Sequence, residues 1–207
     1  MLKVWGRISS SNVQKVMWAI GELGLAHERI DLGGPFGGNR ETAYLNKNPN
    51  GLVPTIEDGD LTLWESNTIV RYLAARYGAG TLEPADVKAR ALASQWMDWQ
   101  QTVVGPAMLN AFLGLVRTPA EQRDEAAIEA SRAKTIEAMK ILNGRLGSSA
   151  FAAGNSFSMG DIPLGVMANR FRQLVPDPPL LANLERWYSM LQAREAFRKH
   201  VSSIPLT

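Results

Sequence analysis

The order of short apolar and amphipathic segments at the start of the chain constrains the fold more than any other feature. Leu2 to Trp5 is a short apolar run typical of a strand. Apolar residues then recur at helical spacing, which predicts a helix from Asn12 to Leu23 that ends at Gly24. A second strand is expected from His27 to Asp31. A strand, a helix and a strand within about thirty residues have the size of a βαβ unit.

Composition excludes several kinds of site. The 207 residues include no cysteine, which excludes disulfides, cysteine-ligated zinc and cysteine nucleophiles. The two histidines, His27 and His200, are too few for a histidine-rich metal site, so no metal is predicted. The net charge of +2 comes without a dense basic run and favours neither nucleic acid nor membrane as a partner. Since neither a signal peptide nor a long apolar span is found, we expect a cytoplasmic protein.

Turn signals between residues 32 and 64 complete a small sheet. The glycine-rich segment Leu32 to Arg40 lacks the ending of a phosphate loop, and we interpret it as a flexible flap before a short helix from Glu41 to Leu45. Val53-Pro54 leads into a strand, Thr55 to Glu57. Asp58-Gly59 is a strong hairpin signal before a return strand, Asp60 to Trp64.

A helix that opens with Glu65-Ser66 completes the order β-α-β-α-β-β-α, a thioredoxin-like arrangement. Strand patterns then disappear. We therefore predict an α/β thioredoxin-like domain over residues 1–79, a linker over 80–85 and an all-α domain over 86–207.

Caps and breaks divide the helical half. A helix from Asp86 is expected to kink or break at Gly105-Pro106. The segment Thr118 to Glu121 combines an N-cap, a proline and a carboxylate, which predicts the start of a helix that ends near Leu146. Ser158 to Asp161 forms a capping box, so we interpret Asp161 as structural rather than catalytic.

The turn Ser9-Ser10-Ser11-Asn12 joins the first strand to the first helix. Its side chains can cap the helix, and the helix N-terminus stabilises an anion. Taken alone, capping is the favoured interpretation. Combined with Val53-Pro54 and with Glu65-Ser66 before an Ile/Val-rich helix, this turn resembles the glutathione-binding domain of the glutathione transferases, in particular bacterial serine-type members that are theta- or nu-like.

The resemblance includes specific motifs up to about Tyr77. Beyond that residue it is limited to the order of the helices. It implies that a serine hydroxyl of the turn donates a hydrogen bond to the glutathione thiolate. Counting back from Val16 as in serine-type classes favours Ser10, with Ser11 next and Asn12 assisting. The free thiol has a pKa near 8.5, so such a donor favours the reactive thiolate.

The resemblance also implies the glutathione contacts. Glu65 would bind the ammonium of the γ-glutamyl unit, and Ser66 at the helix start would bind its carboxylate. Val53, before a cis-Pro54, would pair with the cysteinyl backbone. For the glycyl carboxylate we expect Asn39. The segment also includes Leu52, where several classes have lysine, so Arg40 and Lys47 remain alternatives.

The second substrate is expected to be a hydrophobic electrophilic small molecule, as in detoxification. The candidate pocket residues are Met108, Ala111, Phe112 and Leu115. The resemblance implies a homodimer, with Trp64, Arg71 or Tyr72 at the interface. Two alternatives stay open: a glutathione-dependent disulfide or peroxide reductase of the same fold, and a non-catalytic glutathione- or protein-binding relative.

Overall fold

The computed structural model describes all 207 residues. Its N-terminal part is built on a sheet of four short strands: β1 (Leu2–Trp5), β2 (His27–Ile30), β3 (Thr55–Asp58) and β4 (Leu61–Trp64). The strand order is β2-β1-β3-β4, with β1 parallel to β2 and antiparallel to β3. β3 and β4 form the hairpin predicted at Asp58-Gly59.

Three helices accompany this sheet: α1 (Ser11–Glu22), α2 (Thr42–Leu45) and α3 (Ser66–Tyr77). α1 connects the parallel strands β1 and β2, and it packs against α3. The predicted thioredoxin-like arrangement is confirmed. It matters for the site because the N-termini of α1 and α3 lie side by side, joined by a hydrogen bond from Ser66 Oγ to Asn12 Oδ1 (3.2 Å).

The remainder of the chain is helical, as predicted. Six α-helices follow, with wider π-helical turns at residues 100–104, 113–117 and 198–202. The helices are α4 (Val87–Trp99), α5 (Gly105–Phe112), α6 (Glu125–Leu146), α7 (Asp161–Leu174), α8 (Ala182–Gln192) and α9 (Glu195–Phe197).

The chain does not break at Gly105-Pro106. The five residues from Gln100 to Val104 form a π-helical segment, and α5 follows without an interruption of the helical path. Since a proline removes one backbone N–H and crowds the preceding turn, a wider turn there relieves the clash. This π segment carries Gln100 and Gln101, which line the cavity described below.

The predicted helix start at Thr118 is wrong. Pro119 is extended (ψ 145°), a single 3₁₀ turn covers Ala120–Gln122, and Arg123 is extended again. α6 begins at Glu125, where the side chain of Asp124 accepts a hydrogen bond from the N–H of Ala127 (2.9 Å). Asp124 is therefore the N-cap of α6. The Thr118-Pro119 segment starts only the single 3₁₀ turn that precedes it.

The two halves share one core. A cluster of 41 buried residues includes apolar side chains from the sheet, α1 and α3 together with those of α4 and α6–α8. Trp18 of α1 is completely buried at the centre, where it packs on Phe197 and contacts Gly165 of α7. Arg194 also forms a two-pronged ion pair with Glu22 of α1 (2.8 and 2.6 Å).

None of the helices is both long enough and apolar enough to cross a membrane. The structure also brings together no group of three histidine, aspartate or glutamate side chains that could hold a metal ion.

Candidate functional site

A cavity of about 390 Å³ opens between the start of α1, the start of α3 and the helical half. One wall is polar and comes from α1 and α3, while the opposite wall is mainly apolar and comes from α5 and α7. Its lining residues are Ser11, Asn12, Lys15, Glu65, Ser66, Gln100, Gln101, Gly105, Pro106, Met108, Leu109, Phe112, Met167 and Arg170.

The β1–α1 turn provides two serine hydroxyls. Ser10 occupies the N-cap position of α1, but its side chain makes no capping bond; its carbonyl accepts from Gln14 instead (2.9 Å). Ser11 is the first residue of the helix and lines the cavity, whereas Ser10 is not among the lining residues. Because neither hydroxyl is used inside the chain, both are available to a ligand beside the helix N-terminus.

Glu65 and Ser66 mark the start of α3. Glu65 has φ +71°, a region in which a residue with a side chain is strained by about 1–3 kcal/mol. Its carboxylate is exposed and makes no hydrogen bond or ion pair within the chain. Ser66 is buried, and its hydroxyl joins the network to Asn12. A strained residue with an unused carboxylate at a cavity is typical of a ligand contact.

Lys15 lies fully buried on the cavity floor. Its ammonium donates to Gln100 Oε1 (2.8 Å) and reaches Ser66 Oγ at 3.5 Å. The pKa of Lys15 is lowered to about 7, mainly by burial and also by the charge of Arg170, while the charge of Glu65 partly offsets this. An anion in the cavity would favour the protonated lysine.

Arg170 of α7 is a second buried cation at the cavity. It is 8% exposed, lies over the ring of Phe112 (4.6 Å) and donates to the carbonyl of Ser9 (3.4 Å). No carboxylate pairs with it. The pKa of Arg170 is lowered to about 10, mainly by burial and also by the charges of Arg117 and Arg7.

The Val53–Pro54 peptide bond is cis, as predicted. Neither the N–H nor the carbonyl of Val53 takes part in a hydrogen bond within the chain. β3 begins only at Thr55, so the backbone before it is free to pair with an extended ligand. Val53 and Pro54 lie outside the cavity lining, next to the β1–α1 turn through the contact of Val53 with Gly6.

The residues considered for a glycyl carboxylate lie further along the same side, also outside the lining. The Asn39 amide donates to the carbonyl of Gly51 (2.8 Å), and Lys47 forms an ion pair with Glu57 (2.7 Å). Arg40 is exposed and has no acidic partner; its one bond is to the Asn50 carbonyl (3.3 Å). The side chain of Leu52 is 61% exposed.

Comparison with known proteins identifies the family. The N-terminal domain model of the glutathione S-transferases matches residues 1–75, and the C-terminal domain model matches residues 103–195. The chain is 42% identical to glutathione S-transferase GstB of Escherichia coli (strain K12), with 100% of both chains covered. The chain belongs to the glutathione S-transferase family.

Two further relatives agree with this assignment. Glutathione S-transferase F14 of Arabidopsis thaliana is 31% identical over 96% of this chain and 80% of its own length. A theta class glutathione S-transferase from the citrus canker pathogen Xanthomonas axonopodis pv. citri, solved with glutathione bound, has a TM-score of 0.95 and 42% identity, covering 100% of this chain and 99% of that one. This glutathione transferase is therefore an enzyme of the family and fold expected from the sequence.

Sequence reasoning missed several residues that line the cavity of this glutathione transferase, among them Lys15, Gln100 and Arg170. A signal existed for one of them. Lys15 follows Ser11 by four residues, so both lie on the same helix face, and the five residues after Lys15 are all apolar. Of the four expected pocket residues, Met108 and Phe112 line the cavity, whereas Ala111 and Leu115 do not.

Proposed function

We propose that this glutathione transferase binds glutathione across the N-termini of α1 and α3, ionises its thiol, and directs the thiolate to a small electrophile held against α5 and α7. The observation that carries the proposal is the meeting of two helix N-termini, the free Ser11 hydroxyl and the buried Lys15 at one cavity, with the free Ser10 hydroxyl next to it in the same turn. Each of these favours negative charge, so each lowers the free energy of a thiolate relative to a thiol.

The glutathione contacts follow from the polar wall. Glu65 takes the γ-glutamyl ammonium, because its carboxylate is unused, and Ser66 with the first N–H groups of α3 takes the γ-glutamyl carboxylate. The free backbone of Val53, before Pro54, pairs with the cysteinyl unit. Arg40, the cation on that side without an acidic partner, takes the glycyl carboxylate.

Ser10 is proposed as the donor to the sulfur, with Ser11 and Asn12 beside it. Removing a donor to a charged group costs about 1.5–3 kcal/mol, which corresponds to about 10- to 100-fold. We expect Ser10→Ala to lower kcat/KM for the conjugation of a chloronitrobenzene by that factor and to raise the pKa of bound glutathione. If the loss falls on Ser11→Ala instead, Ser11 is the donor. Unchanged rates and pH profiles in both variants would disprove the hydroxyl mechanism.

A titration with glutathione tests binding separately from catalysis. We expect saturable binding that Glu65→Gln weakens. No heat, and no competition with a glutathione-linked ligand, would remove every glutathione-based function.

A second candidate function is glutathione-dependent disulfide or peroxide reduction, and Asn12 favours it. Asn12 lines the cavity and accepts a hydrogen bond from Ser66. In this proposal its side-chain amide lies beside the sulfur. The chain has no cysteine, so the second thiol would come from another glutathione. Turnover of a mixed disulfide of glutathione would support this activity, and its absence at conjugation-competent enzyme concentrations would exclude it.

A further inference from the structure

Arg170 presents a buried positive charge to the apolar half of the cavity, and nothing in the chain neutralises it. It is 8% exposed, and its single hydrogen bond is a long one to the Ser9 carbonyl (3.4 Å). A buried charge is costly unless a counter-charge or several hydrogen bonds accompany it. Among the lining residues the one carboxylate is Glu65, which the proposed function assigns to glutathione.

Two further arginines surround this position. Arg117 lies on the ring of Phe112 (5.5 Å), the ring that Arg170 also contacts, and it donates to the Thr207 oxygen (2.9 Å). The side chain of Arg7 packs over Gly34 and makes no hydrogen bond. Both charges act on Arg170, and they lower its pKa. Two guanidinium groups on one aromatic ring, together with the charge of Arg7, give this end of the cavity a positive potential.

We infer that the second substrate of this enzyme is an electrophile that carries an anionic group, with that group bound by Arg170 and its carbon skeleton on Phe112 and Met108. The inference rests on the proposed function. A carboxylate is the simplest such group, because a guanidinium binds both of its oxygens in one plane. Met108, Leu109, Phe112 and Met167 provide apolar surface for a ring or short chain next to the charge.

The reaction at such a substrate is a substitution. The thiol first loses its proton; the thiolate then forms a carbon–sulfur bond at the carbon that bears the leaving group. With 4-chloro-3-nitrobenzoate the carbon–chlorine bond breaks, chloride leaves with the bonding electron pair, and the products are the thioether, chloride and a proton. The carboxylate takes no part and serves only to hold the ring.

The test compares 4-chloro-3-nitrobenzoate with its methyl ester at saturating glutathione. Each kcat/KM is divided by the rate constant of the uncatalysed reaction, which removes the intrinsic difference in reactivity. The corrected ratio is this quotient for the carboxylate divided by that for the ester. We expect it to be about 10 or more, the effect of a hydrogen bond to a charged group. A ratio at or below one would overturn the inference.

Variants locate the effect. Arg170→Gln should lower the corrected ratio to near one, because the carboxylate substrate loses far more kcat/KM than the ester does. Because Arg170 is buried and its replacement puts folding at risk, Arg7→Gln provides a second measurement. Arg7 makes no side-chain hydrogen bond, and removing its charge should lower the ratio by a smaller factor. Arg172→Gln, two residues along α7 in an exposed pair with Glu185, is the control and should leave the ratio unchanged.

A non-reactive analogue separates binding from chemistry. 3-Nitrobenzoate should inhibit competitively with the electrophile and more strongly than 3-nitrobenzamide, and Arg170→Gln should abolish that difference. If the variants change KM for glutathione and leave the ratio unchanged, the arginines serve glutathione and the inference is wrong. If neither substrate is conjugated, the proposed function fails instead.

Discussion

Glu65 combines a strained backbone with a carboxylate that has no partner in the chain. We expect Glu65→Gln to raise KM for glutathione about 10-fold or more, because the pairing with the ammonium loses its charge, and to leave the midpoint of thermal unfolding unchanged. Steady-state kinetics and a melting curve measure the two effects. A large fall in stability with an unchanged KM would show a structural role.

Lys15 makes stability depend on pH. Burial lowers its pKa from 10.5 to about 7, so between these values the unfolded chain holds a proton that the folded protein lacks. The free energy of unfolding therefore rises with pH across that window. We expect denaturant titrations between pH 7 and 9.5 to show this rise in the wild type and a smaller one in Lys15→Met. Equal slopes in the two proteins would contradict it.

For single residues, the sequence predicted positions that depend only on neighbouring residues in the chain. Glu65-Ser66 and Val53-Pro54 could be placed because their neighbours in the chain determine the helix start and the strand entry. Lys15 and Arg170 could not, since a charged residue among apolar ones has no meaning until the fold supplies its surroundings. Arg170 reaches the carbonyl of Ser9, and 161 positions separate the two in the chain.

Among the secondary structure elements, α7 depends on Asp161. One carboxylate oxygen accepts from the N–H of Ala152 (2.9 Å) and the indole of Trp187 (3.0 Å), and the other accepts from the N–H of Ser158 (3.0 Å). These are the bonds of the predicted capping box, together with two distant ones that sequence could not indicate.

We expect Asp161→Ala to destabilise the protein by about 3 kcal/mol or more, because the buried donors of Ala152, Ser158 and Trp187 lose their acceptor. Asp161→Asn keeps one oxygen, which serves Ala152 and Trp187, and should cost about half as much. Denaturant unfolding gives both values. Glutathione binding to the folded fraction should be unaffected, and weakened binding there would point to a direct role in the site.

The start of α6 shows where element prediction failed. Thr118-Pro119 has the composition of a helix start, but Asp124 provides a second cap six residues later, and the helix begins there. By residue type alone, Thr118 and Asp124 are both suitable N-cap residues. The π turn before Pro106 accommodates the proline, and a second π turn follows Phe112; the sequence pattern does not distinguish such wider turns from a break in the helix.

In the whole molecule, the shared core joins the two halves at Gly165. A Cβ atom added there would lie 2.7 Å from the Trp18 ring and 2.8 Å from Leu191. We expect Gly165→Ala to destabilise the protein by about 1–3 kcal/mol, despite the higher helix propensity of alanine. Gly144→Ala in α6 is the matched control, since nothing lies within 4 Å of its added Cβ, and it should stabilise by up to about 1 kcal/mol.

From the shared core we also predict the number of unfolding transitions. Because side chains from both halves form one buried cluster, we expect a single cooperative transition by fluorescence and by circular dichroism. The proposed boundaries, 1–79 and 86–207, then separate two folds rather than two independent stability units. Two resolved transitions, or a residue 1–79 fragment that folds alone, would contradict this expectation.

We also propose that two copies associate. Trp64 is 37% exposed beside α3, and Leu92 and Val103 of the helical half are exposed as well. Light scattering on the purified protein should give about twice the mass of the 22.7 kDa chain. Arg71 and Tyr72 are bonded to Asp98 and Asp58 within the chain, so any interface through them must include these pairs.

The lysine on the cavity floor has a consequence for heat measurements. Above pH 7 the empty site holds Lys15 largely uncharged, and a bound thiolate would return the proton to it. The glutathione thiol gives up a proton as it ionises, and Lys15 takes one up in the same complex. Few protons are therefore released to the solvent on binding. Calorimetric enthalpies should therefore be almost independent of the ionisation heat of the buffer, and Lys15→Met should restore the dependence.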